Sequence, residues 1–272
     1  MAKTIPPVIK WSGSKRPQAQ QLSNWFPSEY DTYYEPFVGG GALLPYQKAN
    51  KGAVASDVMP ELISLWQMLQ QEPQSVKIGY RVMWNTLQLN HDYYYEVRDR
   101  FNEDRDPIDF FFLLRTCYNG LCRFNSHNEF NVSYHLTRPG MNPDRMDRII
   151  STWSTQYLPK VQFKQCDYRN LLEIVDSRDF VFLDPPYYGT KAQYGPRIAD
   201  FNYDDFEAFL ADLNQIGVKW LLTLGTSDKY DLPAHLHVGE TSTEPFSSSF
   251  RRLKSVQVKT GDKVYTNYAL PT

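Results

Sequence analysis

The chain has 272 residues, of which 42% are hydrophobic and 22% charged, and its formal net charge is −2. This composition is typical of a globular protein with a sizeable core and excludes a disordered or fibrous chain. The three cysteines form no CxxC pair, which argues against a disulfide framework and against a zinc site. No run of 18 apolar residues and no charged-then-apolar leader occurs, so we expect a cytoplasmic protein with no metal and no membrane contact.

The small net charge gives no basic footprint of nucleic-acid binding, but two stretches are locally basic. One covers residues 115–148, and the other lies near the end of the chain. Their cationic residues are Arg115, Arg123, Arg138, Arg145 and Arg148, and then Arg251, Arg252, Lys254, Lys259 and Lys263. Both stretches are candidate phosphate contacts, although a solvated charged surface is an equally good interpretation of either one alone.

Five short apolar runs predict buried strands, at 33–38, 53–56, 160–165, 180–183 and 219–224. Helical patterns lie between most of them, which predicts βαβ units and a parallel sheet. The clearest helix covers 204–216, where acids open the segment, apolar residues recur at helical spacing and Gly217 follows. Two final runs, 253–258 and 263–270, predict an antiparallel pair.

The second and third predicted strands are separated by roughly a hundred residues, which is far too long for an ordinary crossover loop. We therefore predict an inserted, mostly helical subdomain over residues 60–155. The main domain then consists of residues 1–59 and 156–272.

The run "YEPFVGGGALL" (34–44) predicts a strand that ends in three glycines and leads into a helix. Glycines at this point let a ligand approach the backbone, and a helix N-terminus favours negative charge. Asp57 ends the next predicted strand, 18 residues after Gly39, where a ribose hydroxyl is usually bound. The pairing favours an adenosine-containing cofactor, although Asp57 alone could instead be the N-cap of a helix over 60–70.

Two more polar segments fit the same site but have simpler interpretations. "KWSGSKR" (10–16) could be an exposed basic turn with one anchoring Trp. Asp167 closes the third predicted strand, where it could contact the cofactor's adenine or cap a helix.

The stretch "FVFLDPPYY" (180–188) is a buried strand that must stop at Asp184, because prolines cannot donate to a sheet ladder. Ligands of open parallel sheets bind beyond the carboxyl ends of the strands, so Gly39, Asp57, Asp167 and Asp184 should share one edge. A fixed carboxylate, the Pro185 carbonyl and an aromatic ring could together receive an amino group on a heterocycle. Two acceptors around that nitrogen would aim its lone pair at an electrophile.

With these motifs the chain resembles the Dam-type (D12-class) DNA adenine N6-methyltransferases of bacteria and phages. The resemblance covers nearly the whole chain. It is carried by KWSGSK at 10–15, EPFVGGGAL at 35–43, SDVMPELISLW at 56–66, NGLCRFNSHNEFNV at 119–132 and DPPY at 184–187. It implies an α/β Rossmann-like sheet that uses S-adenosyl-L-methionine, with an inserted helical subdomain for DNA target recognition.

The resemblance also implies roles for individual residues. The implied cofactor residues are Trp11, Lys15, Phe37, Gly39, Gly41, Asp57, Asp167 and Asp184. The implied catalytic residues, which receive the target adenine, are Asp184, Pro185, Pro186 and Tyr187. The implied DNA contacts are Tyr118, Asn119, Arg123 and Asn125, and Arg138 is a further candidate.

After Val132 the chain has Ser133, Tyr134 and His135 where many relatives that methylate GATC have Pro-aromatic-Gly. The DNA recognition sequence is therefore left open. We expect a monomer that flips an adenine out of duplex DNA and methylates it directly, without a metal or a covalent intermediate. A cognate restriction endonuclease is a conceivable functional partner.

Three alternative functions fit these residues less well. Cytosine-C5 chemistry needs a cysteine nucleophile, and Cys117 and Cys122 look like small packing residues instead. Methylation of RNA or of a protein amide would favour NPPY over DPPY. A DNA-binding homologue without catalysis would not need the cofactor residues, and these are intact.

Overall fold

The computed structural model describes residues 5–187, 201–225, 230–243, 246–253 and 256–270, with the backbone alone for 246–253 and 256–260. The described residues form a seven-stranded sheet in the order β3-β2-β1-β4-β5-β9-β6, and β7 and β8 pair separately. The strands are β1 (Thr32–Glu35), β2 (Gly52–Asp57), β3 (Val161–Gln165), β4 (Phe180–Leu183), β5 (Lys219–Gly225), β6 (Gly239–Ser242), β7 (Phe246–Leu253), β8 (Val256–Thr260) and β9 (Asp262–Thr266).

The first five strands are parallel to one another, with pairs such as Tyr33 with Ala53 and Phe180 with Lys219. Their order, 3-2-1-4-5, is that of the Rossmann fold, in which a ligand binds where the order reverses. The antiparallel strand β9 lies between β5 and β6. The predicted Rossmann-like α/β class and all five predicted core strands are confirmed, with ends shifted by up to three residues.

Seven α-helices are described, and five of them, α2 to α6, lie between β2 and β3 in the chain. Their bounds are α1 (Ala19–Ser23), α2 (Pro60–Gln71), α3 (Pro73–Leu89), α4 (Tyr93–Asp104), α5 (Pro107–Thr116), α6 (Pro143–Thr152) and α7 (Tyr203–Ile216). The helix predicted over 204–216 is confirmed as α7, and Gly217 ends it in the left-handed conformation, with φ of 80°.

Strand β4 is buried on both faces, which explains its continuous apolar sequence. Phe180 and Phe182 pack into a core shared with α2 to α6, whereas Val181 and Leu183 pack into a second core with α7. Burying a side chain of this size contributes roughly 1.5–3 kcal/mol. The two cores hold β4 in place, so the residue that follows Leu183 is fixed at the sheet edge.

Residues 60–155 are mostly helical, as predicted. Helix α2 contacts β2, β3 and α5, and helix α3 contacts α4, α5 and α6. That the segment forms a separate subdomain stays a prediction. None of the helices in the described part of the chain combines the length and the apolarity that crossing a membrane requires.

Two predictions about elements are wrong. The glycine run does not lead into an α-helix, since only a 3₁₀ turn, Leu44–Tyr46, follows it. The last two runs do not pair with each other, because β7 pairs with β8 and β9 pairs with β5 and β6. Apolar runs alone do not specify which strand is the partner.

Candidate active site

A cavity of about 280 Å³ lies beyond the carboxyl ends of β1 to β4. Its lining includes Trp11, Lys15, Phe37, Gly39, Gly41, Asp57, Asp167, Asp184, Pro185, Pro186 and Tyr187. These are all of the residues predicted to hold the cofactor or to receive the target adenine. The predicted meeting of Gly39, Asp57, Asp167 and Asp184 at one edge of the sheet is thus confirmed, and their individual roles stay predictions.

Asp57 is the last residue of β2, and its carboxylate is held by backbone groups. Its oxygens accept from the N–H of Gly39 at 3.3 Å and of Met59 at 3.1 Å. Met59, not Asp57, is the N-cap of α2, so the helix-cap interpretation is wrong. Burial raises the pKa of the Asp57 carboxyl to about 6, although these backbone hydrogen bonds lower it.

The glycine run packs against two tryptophans. A Cβ on Gly39 would lie 2.7 Å from Trp11 Nε1, and one on Gly41 would lie 2.9 Å from Trp66. The Trp66 indole N–H also donates to the Gly39 carbonyl at 3.0 Å. Both glycines have positive φ, 44° and 59°, which favours glycine. Gly39 thus leaves room for Trp11 to lie against the backbone at the cavity wall, and Gly41 leaves room for Trp66.

Asp184 follows β4, and one of its carboxylate oxygens is already engaged. Oδ1 lies 2.9 Å from Lys15 Nζ and accepts from the Thr223 hydroxyl of β5 at 2.9 Å. Burial raises the pKa of the Asp184 carboxyl, and Lys15 and Thr223 offset this only in part. Because Lys15 is buried, the interpretation of this loop as an exposed basic turn is wrong for that residue.

A second buried carboxylate, Asp262, was not predicted as a site residue. It lies at the start of β9 and accepts from the Tyr187 hydroxyl at 2.9 Å and from Gln18 Nε2 at 2.5 Å. Lys15 Nζ lies 3.4 Å from it and also donates to the Tyr187 hydroxyl. The sequence carried no signal for Asp262, which stands among basic residues and resembles a surface acid.

Glu35, the last residue of β1, is a further cavity-lining acid that the prediction missed. It is 3% exposed and accepts from the Tyr33 hydroxyl at 2.9 Å. Burial raises the pKa of its carboxyl to about 8; the hydrogen bond opposes this rise, and the nearby Asp184 adds to it. Its position in EPFVGGG, directly before a proline at a strand end, was the available signal.

Asp167 and Phe37 form another part of the cavity wall. Asp167 caps a 3₁₀ helix, Tyr168–Glu173, by accepting from the Arg169 N–H at 3.0 Å, and it also binds the Arg169 guanidinium. The capping interpretation is therefore confirmed and Asp167 also lines the cavity, while its contact with an adenine stays a prediction. The Phe37 ring packs against Tyr168 and Phe201, with centroids 5.4 and 6.0 Å away.

The predicted DNA contacts lie between α5 and α6. Tyr118 is 51% exposed and its ring stacks on His135 at 5.2 Å, while Asn119 has a positive φ of 55°. Exposed Arg123 donates through Nε to Asn131 Oδ1 at 2.8 Å. Tyr118 and Arg123 thus present an exposed aromatic ring and an exposed guanidinium in the same segment, and their contact with DNA stays a prediction.

Asn125 is half-buried and organises its own loop. Its Oδ1 accepts from the backbone N–H of His127 and of Glu129, both at 2.9 Å, and its Nδ2 donates to the Glu129 carboxylate at 2.8 Å. The amide that was predicted to read a base is therefore engaged within the loop in this structure.

The two basic stretches differ in what the structure describes. Arg138 is exposed, but Arg115 is buried and donates to the Pro7 and Val8 carbonyls, so its assignment as a phosphate contact is wrong. Burial lowers the pKa of the Arg115 guanidinium to about 10. Lys263 pairs with Asp231. Lys254 lies outside the described residues, as do the side chains of Arg251, Arg252 and Lys259.

Comparison with known proteins adds independent information to this geometry. The family model of D12 class N6 adenine-specific DNA methyltransferases matches residues 11–258. The chain is 31% identical to the Type II methyltransferase M.MjaIII of Methanocaldococcus jannaschii over 247 residues, which is 80% of this chain and 84% of the relative. It is 28% identical to the Type II methyltransferase M.CviBI of Paramecium bursaria Chlorella virus NC1A, over 97% and 98% of the two chains.

A third relative, the DNA adenine methylase of Haemophilus influenzae, is 30% identical over 66% of this chain and 63% of its own length. The family match covers the glycine run, the Asp184 segment and the region between them. The chain therefore belongs to the D12 class N6 adenine-specific DNA methyltransferase family.

Proposed function

We propose that this chain transfers a methyl group from S-adenosyl-L-methionine to N6 of an adenine flipped out of duplex DNA. One observation carries the proposal. The Asp184 carboxylate is held at one oxygen by Lys15 and Thr223, in the same cavity as the predicted cofactor residues. An acceptor for an amino group and a site for the methyl donor thus share one enclosure.

The donor groups around the cavity fit S-adenosylmethionine, which the family implies. Four carboxylates line the cavity, Glu35, Asp57, Asp167 and Asp184, and they suit a ligand that carries a positive sulfonium and an ammonium group. Asp57 would accept from the ribose hydroxyls, and Phe37 and Trp11 would hold the ligand by packing. When bound, the cofactor supplies an electrophilic methyl group.

Asp184 would act on the target amine through its second oxygen. Lys15 and Thr223 fix Oδ1, which leaves Oδ2 to accept from the N6 amino group. The Pro185 carbonyl is the second candidate acceptor, and the Tyr203 hydroxyl donates to the neighbouring Pro186 carbonyl at 2.9 Å. Two fixed acceptors would favour a tetrahedral nitrogen with its lone pair toward the methyl group, which is complementarity to the transition state.

Duplex DNA is the substrate class of the family, and a paired adenine must leave the helix to reach such a cavity. We propose that Tyr187 stacks on the flipped base and that residues 60–155 act as the target-recognition subdomain. Tyr118, Arg123 and Arg138 support this proposal, because all three are exposed and lie in the segment between α5 and α6. The names of the two Type II relatives support a further proposal, that the methylation protects DNA from a cognate restriction endonuclease.

The test is methyl transfer from labelled S-adenosylmethionine to duplex DNA, with nucleoside mass spectrometry to identify the product. We expect N6-methyladenine with the wild type and a loss of at least about a thousandfold in single-turnover rate with Asp184→Ala, because the amine loses its main acceptor. Asp184→Asn should retain part of the geometry but place a donor near the amine. Wild-type single-turnover rates in Asp184→Ala, at saturating DNA and cofactor, would rule out the assignment.

A further inference from the structure

Asp262 is a buried acid for which the proposed reaction gives no role. It is 4% exposed and is held rigidly, since its backbone N–H donates to Thr243 Oγ1 at 2.8 Å and its carbonyl accepts from the Thr243 N–H at 2.9 Å. It also pairs with Gly225 of β5. A carboxylate fixed in this way, away from solvent, is costly unless donors surround it.

The donors around Asp262 are the groups that define the active site. The Tyr187 hydroxyl donates to Oδ1 at 2.9 Å, and Gln18 Nε2 donates to Oδ2 at 2.5 Å. The Lys15 ammonium lies 3.4 Å from Asp262 and 2.9 Å from Asp184. Two buried carboxylates therefore share one ammonium, and a tyrosine hydroxyl bridges Lys15 to Asp262.

This sharing determines how strongly Lys15 acts on Asp184. Were Asp262 neutral, Lys15 would pair with Asp184 alone, and Asp184 would be a weaker acceptor for an incoming amine. The Tyr187 hydroxyl would also keep only a neutral and therefore weaker acceptor, so the ring would be held less firmly. Both changes would act on the step at which the amine attacks more than on the initial binding of DNA or cofactor, because Asp262 itself does not line the cavity.

We propose that Asp262 is a positioning residue for methyl transfer, which holds Tyr187 in place and draws part of the Lys15 charge away from Asp184. The inference rests on the proposed function, since it concerns the same site. Asp262 itself does not line the cavity, so it acts through Lys15 and Tyr187.

The test compares Asp262→Asn with the wild type in single-turnover methylation across pH. We expect the transfer rate near neutral pH to fall about ten- to hundredfold, while KM for DNA and for S-adenosylmethionine stays within about threefold of wild type. The titratable groups that face Asp184 are Lys15, Tyr187, Asp262 and Glu35. Removing the charge of Asp262 removes one cause that raises the pKa of Asp184, so the acid limb of the rate profile should move to lower pH.

Asp231→Asn is the matched control. Asp231 is an exposed acid that contacts Lys263 and Tyr265 of β9, the strand that begins at Asp262. It lies outside the cavity lining. We expect wild-type rates and an unshifted acid limb from this variant. Thermal unfolding of both variants identifies any general loss of structure.

A second measurement does not depend on methylation. The pKa of the Lys15 ammonium can be followed by trace acetylation across pH and peptide mass spectrometry. Burial alone would lower this pKa, but Asp184, Tyr187 and Asp262 together raise it well above its ordinary value. Acetylation of Lys15 should therefore begin at lower pH in Asp262→Asn than in the wild type or in Asp231→Asn.

The outcomes separate the two proposals. A wild type that does not methylate adenine overturns the proposed function, and the acetylation onset still decides whether Asp262 holds Lys15. An active wild type with an unchanged rate, acid limb and acetylation onset in Asp262→Asn overturns the role of Asp262. A lower rate with an unshifted acid limb and an unshifted onset shows a merely structural residue and overturns it equally.

Discussion

The carboxylates that line the cavity have different affinities for protons. Burial raises the pKa of Glu35 to about 8 and that of Asp57 to about 6. At Asp167 burial also raises the pKa, but hydrogen bonds from Arg169 outweigh it, and the pKa lies below its ordinary value. Near neutral pH, Glu35 is therefore more often protonated than Asp57 or Asp167, and a cationic ligand would favour its ionised form.

The stability of the folded chain should depend on pH through Glu35. Below about pH 4.5 the carboxyl is protonated in both states and contributes nothing; as pH rises toward 8, only the unfolded state ionises freely, so stability is lost. Glu35→Gln is neutral at every pH. Its free energy of unfolding, relative to wild type, should rise from pH 4.5 to pH 8 and then level off, by at most about 5 kcal/mol.

Chemical unfolding at pH 4.5, 6, 8 and 9 measures this difference, and the value at pH 4.5 serves as the internal control for changes in packing. An advantage of Glu35→Gln that is equal at all four values would show that Glu35 ionises in the folded protein as easily as in the unfolded chain.

At the level of elements, short apolar runs and the Asp-Pro-Pro sequence predicted all five core strands and the end of β4 correctly. These signals are local, because a strand buried on both faces must be apolar throughout and a proline ends its ladder. The helix expected after the glycine run is absent, since only ten residues lie between Gly41 and Gly52 and Pro45 is one of them. The pairing of β9 with β5 was not predictable from either strand alone.

The glycine run gives a prediction about packing at the level of this loop. Gly39→Ala combines a φ of 44° with a Cβ only 2.7 Å from Trp11 Nε1, so Trp11 must move. Gly217→Ala is the matched control, because its φ is 80° but its Cβ would lie 3.7 Å from the nearest atom. Both should lose roughly 1–2 kcal/mol of stability through backbone strain.

Only Gly39→Ala should weaken binding of S-adenosylmethionine, by about tenfold or more, because Trp11 lines the cavity and Gly217 does not. Calorimetric titration of the two variants checks this. Equal cofactor affinities would mean that the position of Trp11 does not affect the cofactor.

At the level of the whole molecule, the N-terminal segment joins the cavity to the predicted recognition residues. Ser12, in the cavity wall, accepts from the Cys122 N–H at 3.1 Å, and the Gly120 backbone packs closely on Lys10. These pairs are more than a hundred residues apart in sequence, as are Gln18 and Asp262. Motifs could name the residues of each segment, but only folding brings Asp262 and Ser12 to the positions they occupy.

The same arrangement separates two kinds of recognition residue. Arg123 is exposed and its guanidinium is held by Asn131, so it could turn toward a guanine edge; a bidentate contact of this kind discriminates by roughly 1–3 kcal/mol. Asn125 instead holds the loop through three hydrogen bonds. Arg123→Ala should therefore relax preference at one base pair, whereas Asn125→Ala should lower methylation by a similar factor on every sequence.

The measurement is methylation of a randomised duplex library, with modified positions read by sequencing. Arg98→Ala is the control, because Arg98 is a cation of α4 that contacts Tyr95 and Asp99 outside the predicted recognition segment, and it should leave both rate and preference unchanged. If Arg123→Ala lowers activity equally on all sequences, Arg123 is a phosphate or structural residue. Base readout must then lie further along the segment, between Tyr134 and Arg138.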